Sequence, residues 1–83
     1  MSKRRNYFRY KLQDGRPLVQ YGITNDPERR LEEHKDDGKR FTSMQVVGPA
    51  VTKATAEQWE EERLEAYRRS HRGRNPRYNK TDR

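Results

Sequence analysis

Val19-Gln20-Tyr21-Gly22-Ile23-Thr24-Asn25-Asp26-Pro27-Glu28-Arg29-Arg30-Leu31-Glu32-Glu33-His34 decides how this chain is read. An extended run meets a glycine and then enters a helix through a cap. Asp26 has the short carboxylate that accepts from first-turn amides, and Pro27 suits the first helical position, where no amide hydrogen is needed. Arg30 and His34 are four residues apart, so both project from one helix face beside the end of the strand. Leu31 can turn inward beside them. A strand end next to Arg and His makes a corner suited to phosphate.

Upstream, Tyr7-Phe8-Arg9-Tyr10-Lys11-Leu12 predicts a first strand, with Phe8, Tyr10 and Leu12 on one face and Tyr7, Arg9 and Lys11 on the other. Asp14-Gly15 between two extended runs is a hairpin signal, returning the chain as an antiparallel strand over 17–23. The first helix is expected over 27–35, with Gly38 as a left-handed cap. Residues 41–47 read as a third strand, broken by Gly48-Pro49. A second helix is expected to start with Thr55 as N-cap, Gln58 completing a capping box, and to run to about Ser70. Gly73 and Pro76 then forbid further helix. The order β-β-α-β-α predicts an α+β fold, a small three-stranded antiparallel sheet flanked by helices. Ala56, Trp59, Leu64 and Tyr67, together with Leu31, are expected to cover one sheet face.

The 83 residues suit one domain, 1–83, with a small core and basic, loose ends at 1–6 and 80–83. Only 28% of residues are hydrophobic and 40% are charged, which alone points toward marginal order. Eight aromatic residues argue the other way, since each buries a large apolar area. Cysteine is absent, which excludes disulfides and thiolate metal sites. No apolar run has the length of a membrane span or signal-peptide core, so a cytoplasmic protein is expected. The net charge is +7. Its cations gather at the ends: Lys3, Arg4, Arg5, Arg9 and Lys11, then Arg68, Arg69, Arg72, Arg74, Arg77, Lys80 and Arg83. Such placement fits a polyanionic partner, nucleic acid first, with a solubilising surface as the plainer alternative.

These motifs resemble those of the GIY-YIG nuclease superfamily. Phe8-Arg9-Tyr10 stands at its first motif and Gln20-Tyr21-Gly22 at its second. Arg30 falls eight residues after Gly22, His34 follows four later, and Pro76-Arg77-Tyr78-Asn79 supplies a terminal amide. The resemblance spans 7–79. It implies a divalent-metal-dependent DNA endonuclease using Mg²⁺ or Mn²⁺, with Tyr10, Arg30, His34, Glu60 and Asn79 at the site. The second-motif tyrosine of the family falls on Gln20. Tyr21 is the neighbouring residue and belongs to the opposite strand face, unless a bulge shifts the register. Gln20 can hydrogen-bond a phosphate oxygen or water but cannot act as a base.

Phosphodiester hydrolysis needs an activated water, neutralised charge on the phosphate, and help for the leaving oxygen. Glu60 is the expected metal ligand, since one carboxylate suffices for an ion that keeps its waters. It lies within the apolar stripe, four after Ala56 and four before Leu64, whereas Glu62 falls on the far side. Arg30 would clamp the phosphate, or else pair with Glu33 or Asp26 on its own helix. His34 would orient Tyr10 or the water, or relay a proton. Tyr10 would act on the attacking water, or simply be a core aromatic. Asn79 would fix Tyr10 or the site backbone. Arg9, Lys11, Arg68, Arg69, Arg72, Arg74 and Arg77 are the expected nucleic-acid contacts. One such site cuts one strand, so a double-strand cut would need a homodimer or a partner protein. The rival is a non-catalytic nucleic-acid-binding module with the same fold, which Gln20 favours.

Overall fold

The computed structural model describes residues 5–79. The expectations for the extreme ends, including Lys3, Arg4, Lys80 and Arg83, fall outside that span. Five elements follow in chain order: β1 (Tyr7–Gln13), β2 (Leu18–Thr24), α1 (Pro27–Asp36), β3 (Ser43–Val51) and α2 (Lys53–Ser70). The sheet is antiparallel with strand order β2-β1-β3, so the aromatic-rich first strand lies at its centre. This is the expected α+β arrangement.

The Asp14-Gly15 turn joins β1 to β2. The Asp14 amide donates to the Pro17 carbonyl at 2.9 Å, and Gly15 takes the left-handed conformation (φ 71°) that a side chain would oppose. Leu12 pairs with Gln20 but Gln13 with Leu18, leaving Val19 as an extra residue on β2. Beyond that bulge the pairing is regular, with Tyr10 opposite Gly22 and Lys11 opposite Tyr21. Tyr10, Gly22 and Gln20 therefore share one sheet face, and Tyr21 leaves the other.

Two local expectations are corrected. Gly48-Pro49 does not end β3, which continues to Val51. β3 is an edge strand, where proline removes no ladder bond that matters, and a bulge absorbs the irregularity. Tyr7 pairs with Val51 and Arg9 with Val47, so β3 advances four residues while β1 advances two. Gly48 (φ 71°) sits in that bulge, and Arg9 Nη2 donates to the Pro49 carbonyl at 3.3 Å. Because the strand runs on, the chain reaches α2 earlier than expected. Thr52, not Thr55, is the N-cap, its hydroxyl accepting from the Thr55 amide at 3.2 Å. The Thr55–Gln58 capping box does not form, and Gln58 donates instead to Glu62 at 3.2 Å.

The core is thin. Tyr10, Leu12 and Val19 are buried, with Phe41, Met44 and Tyr78 packed against them, and Ala56 is buried on α2. Leu31 does not join the α2 stripe. It lies with Phe41 and Met44, while Trp59 meets Tyr21 edge-on with ring centroids 5.6 Å apart.

β2 is the other edge, and the C-terminal segment closes it. The Tyr78 amide donates to the Val19 carbonyl at 2.8 Å. Asn79 accepts from the Tyr21 amide at 2.8 Å and donates to the Tyr21 carbonyl at 2.9 Å. One side-chain amide thus imitates a neighbouring strand and hides an otherwise open ladder. Asn79→Ala should cost about 1–3 kcal/mol through the two unmade bonds. Hydrogen exchange at Tyr21 should accelerate more than at Lys11 on the central strand. Equal acceleration at both would show that the loss is global rather than an opened edge.

Candidate functional site

Tyr10 is 2% exposed, and the phenol end of its ring lies against Gly22. A Cβ at position 22 would land on that ring, so the glycine of the second motif is required by the approach of Tyr10. The phenol oxygen then stands 2.8 Å from Nε2 of His34, the one buried residue of α1.

α1 is aimed there by its two ends. At the start, the Thr24 hydroxyl accepts from the Asp26 amide at 3.0 Å, and Asp26 accepts from the Arg29 amide at 3.2 Å. At the finish, Gly38 (φ 74°) turns left-handed. Its amide donates to the Lys35 carbonyl at 3.0 Å, and the Lys39 amide donates to the His34 carbonyl at 3.3 Å. That pair of bonds is the Schellman cap. It sends the chain back over the last turn, so Lys39 returns to the side chain of His34.

Lys39 Nζ lies 2.9 Å from His34 Nδ1 and donates to Gln20 Oε1 at 2.9 Å. This contact assigns the proton on the histidine. An ammonium has donors and no acceptor, so Nδ1 must accept and the ring hydrogen resides on Nε2. Nε2–H therefore donates to the Tyr10 oxygen, and the phenol keeps its own proton to give. Among the described residues, that hydroxyl has no other hydrogen-bond partner. Relay of a proton from Tyr10 through neutral His34 is closed, because Nε2 already carries one.

Electrostatics keep both groups neutral near pH 7. Burial pushes the Tyr10 phenol up to about 12, opposed by Arg30 and reinforced by the charges of Glu60 and Glu33. Burial also pulls His34 down to about 4, helped by Lys39 and Arg30. The folded value of His34 lies below the unfolded one, so its contribution to stability is lost as pH falls from about 6.5 toward 4.

Arg30 and Glu60 act on Tyr10 by charge without bonding to it. Arg30 Nη1 pairs with Glu33 at 3.4 Å, while its Nε is buried without a partner and so has a donor unspent. Glu60 is half-buried, and its carboxyl is raised by burial and by Glu57. It makes no hydrogen bond or ion pair among the described residues. A half-buried carboxylate without a counter-charge fits a divalent cation that retains its waters. Among the described residues no three His, Cys, Asp or Glu side chains cluster as a metal site, so the fit is to a single carboxylate.

The remaining expected residues divide. Gln20 shares the face of Tyr10 and is held by Lys39; Asn79 grips the backbone of Tyr21; Tyr21 itself points to Trp59, away from Tyr10. Arg68 donates to Asn75 at 3.0 Å, Arg69 pairs with Glu65 at 3.4 Å, Arg77 with Asp14 at 3.8 Å, and Arg9 is held at the β3 bulge. Lys11, Arg72 and Arg74 make no ion pair among the described residues. Lys39 is the site residue that sequence reasoning missed. Its signal was present, since a left-handed glycine after α1 brings the next residue back over His34.

At pH 7 the imidazole nitrogens of His34 should show Nε2 protonated and Nδ1 bare in long-range ¹H–¹⁵N spectra. Lys39→Met should raise the pKa of His34 from about 4 and mix the two tautomers, because one donor and one cation are lost. A protonated Nδ1 in the unmodified protein would overturn the assignment.

Compared with protein-family models, with curated proteins and with solved structures, the chain finds no match.

Proposed function

We propose that this chain is a GIY-YIG-type endonuclease that hydrolyses DNA phosphodiester bonds with Mg²⁺ or Mn²⁺. One observation carries the reading: Tyr10 is fixed over Gly22 by His34, within the fields of Arg30 and Glu60. Residues from β1, β2, α1 and α2 thus bear on one hydroxyl whose proton is unspent. Such a buried polar group is expensive to assemble for packing alone.

In this reading Tyr10 donates its hydrogen bond to a phosphate oxygen, and His34 holds the phenol in place. Arg30, through Nε and the rest of its guanidinium, neutralises charge growing on the phosphate. Glu60 holds the divalent ion. That ion supplies a polarised water and further charge neutralisation when bound. Tyr10 does not serve as a phenolate, because its pKa near 12 leaves it protonated at neutral pH. Gln20 is bound to Lys39 and positions the Lys39–His34 contact.

The same Gln20–Lys39 bond favours a second reading, a nucleic-acid-binding module without chemistry. The family's phenol is replaced there by an amide already engaged with an ammonium.

Divalent-dependent nicking of supercoiled plasmid separates the two. Glu60→Gln should abolish nicking while DNA affinity stays the same or rises, since a charge near phosphate is removed. Equal rates for mutant and unmodified protein at saturating DNA would move the ligand role to another carboxylate, Glu61 first. Tyr21→Phe should leave cleavage unaltered, because that ring packs on Trp59. A loss of about 10²-fold or more would place its hydroxyl in the chemistry.

Glu60 also has a readout independent of cleavage. Its folded pKa lies above the unfolded one, so the ionised carboxylate lowers stability above that range, and the penalty fades as pH falls through it. Glu60→Gln should therefore raise Tm at pH 7 and lose that gain in acid. Mg²⁺ should raise the Tm of the unmodified protein and not of the variant. An equal Mg²⁺ response in both would exclude Glu60 as the ligand.

A further inference from the structure

Three depressions that share lining residues follow one another along α2 as a groove, the first of them against the sheet face opposite Tyr10. Its first part lies among Lys11, Tyr21, Trp59 and Arg63. The second shares Tyr21 and Arg63 and extends to Tyr67 and His71. The third shares Tyr67 and His71 and ends at Arg72 and Arg74. From Trp59 to His71 the helix advances twelve residues, about 18 Å. Among the described residues no Asp or Glu lines any of the three parts, although α2 carries several glutamates. Lys11, Arg63, Arg72 and Arg74 are all without ion-pair partners among those residues.

The aromatic groups are arranged for stacking. The Tyr67 and His71 rings lie parallel, 3.7 Å apart at 3°. His71 is locked there through Nδ1, 2.9 Å from the Tyr67 carbonyl and 2.9 Å from the Ser70 hydroxyl. His71 is exposed, so its ring ends the stack at the solvent. A preformed stack beside unpaired cations matches a flexible polyanion that carries flat rings.

We propose that this groove binds single-stranded nucleic acid, its phosphates along Lys11, Arg63, Arg72 and Arg74 and a base stacked on His71. The proposal rests on nucleic acid being the partner, but not on cleavage and not on the Tyr10 site. A rigid duplex presents its bases edge-on and already stacked, and cannot lay one on His71. A single strand can do both, and the combination of cationic track and aromatic platform is the general design for such strands. Arg63, which charge counting at the chain ends overlooked, becomes the central contact.

Trp59 is the only tryptophan and lines the groove, so its emission reports occupancy. The test uses end-labelled thymidine and uridine oligonucleotides of about 12 nucleotides, in EDTA so that cleavage is silent. Anisotropy and Trp59 fluorescence are read together. Both should saturate at the same oligonucleotide concentration. Arg63→Gln should weaken binding and reduce the slope of log affinity against log salt by about 0.7, the single-strand value for one phosphate contact. His71→Ala should weaken oligonucleotide binding about tenfold, within the range of one lost stacking contact, while leaving affinity for heparin, a polyanion without bases, unchanged. A deoxy- or ribo-preference identifies which strand the groove takes, and binding of either supports it.

Anisotropy that rises with no change at Trp59 and no effect of either variant would overturn the groove while leaving nucleic acid as the partner. Equal loss of heparin and oligonucleotide binding in His71→Ala would overturn the stacking. Duplex bound more tightly than single strand would overturn the choice of ligand. Absence of binding to any oligonucleotide or plasmid would remove both the groove and the proposed function.

Discussion

The bond between Tyr10 and His34 is the constraint on which the rest depends. It needs a glycine opposite Tyr10, because the ring occupies the volume of a Cβ at position 22. It needs α1 to begin where Thr24 and Asp26 cap it, since one residue of slippage would rotate His34 by about 100°. It also needs the left-handed turn at Gly38, which returns Lys39 to the far nitrogen of the same ring. Each requirement is local, yet together they fix β1, β2 and α1 relative to one another. Few apolar side chains are fully buried, so a satisfied polar pair has an unusual share in defining the structure.

Charge is divided in the same economical way. Arg29 and Arg30 both spend part of their charge on Glu33, and Arg69 pairs with Glu65. These exposed pairs contribute little stability. Their consequence is to leave certain groups unspent: Glu60 and, one turn on, Arg63 on α2, and the Arg30 Nε near the end of β2. The groups without partners, rather than those in pairs, mark where a ligand would be met.

Much of this was legible beforehand, for reasons particular residues make plain. The strand-to-helix junction was readable because Asp26-Pro27 and Gly38 are strong, local signals with one physical meaning each. The bulge at Val19, directly before Gln20, was not readable, since the Gly22-to-Arg30 spacing lies beyond it; because pairing is regular from Gln20 onward, Tyr21 still leaves the face of Tyr10. The end of β3 was not readable either, because Gly48-Pro49 breaks a central strand but is tolerated on an edge, and edge position is a property of the whole sheet. The cap of α2 failed for the same reason: Thr52 and Thr55 are equally good capping residues, and only the length of β3 selects between them. The basic tail was legible only as a total of charge. Counting arginines could not show that Arg68, Arg69 and Arg77 turn to Asn75, Glu65 and Asp14, nor that Arg63, amid glutamates, faces a groove without acids.

Tyr10 is held between opposing charges, and that balance gives the proposed site its logic. Arg30 favours ionisation of the phenol, while burial and Glu60 oppose it. A divalent cation bound at Glu60 would replace a negative charge in that field with a net positive one. The charge that opposed Arg30 would then act with it. Metal binding and phenol acidity would be linked, and linkage is reciprocal: whatever lowers the pKa of Tyr10 would be matched by tighter metal binding to its ionised form. Phosphate arriving at Arg30 would push the other way, restoring negative charge and keeping the proton on oxygen. With both bound the two influences oppose each other, while His34 Nε2–H, by donating to the phenol oxygen, leaves the hydroxyl hydrogen free to be donated. In the proposed reaction no strong base among the protein's own side chains would be needed. The site would rely on a neutral hydroxyl held still, one carboxylate left uncompensated, and a histidine whose Nε2 already carries a proton and so takes none from Tyr10.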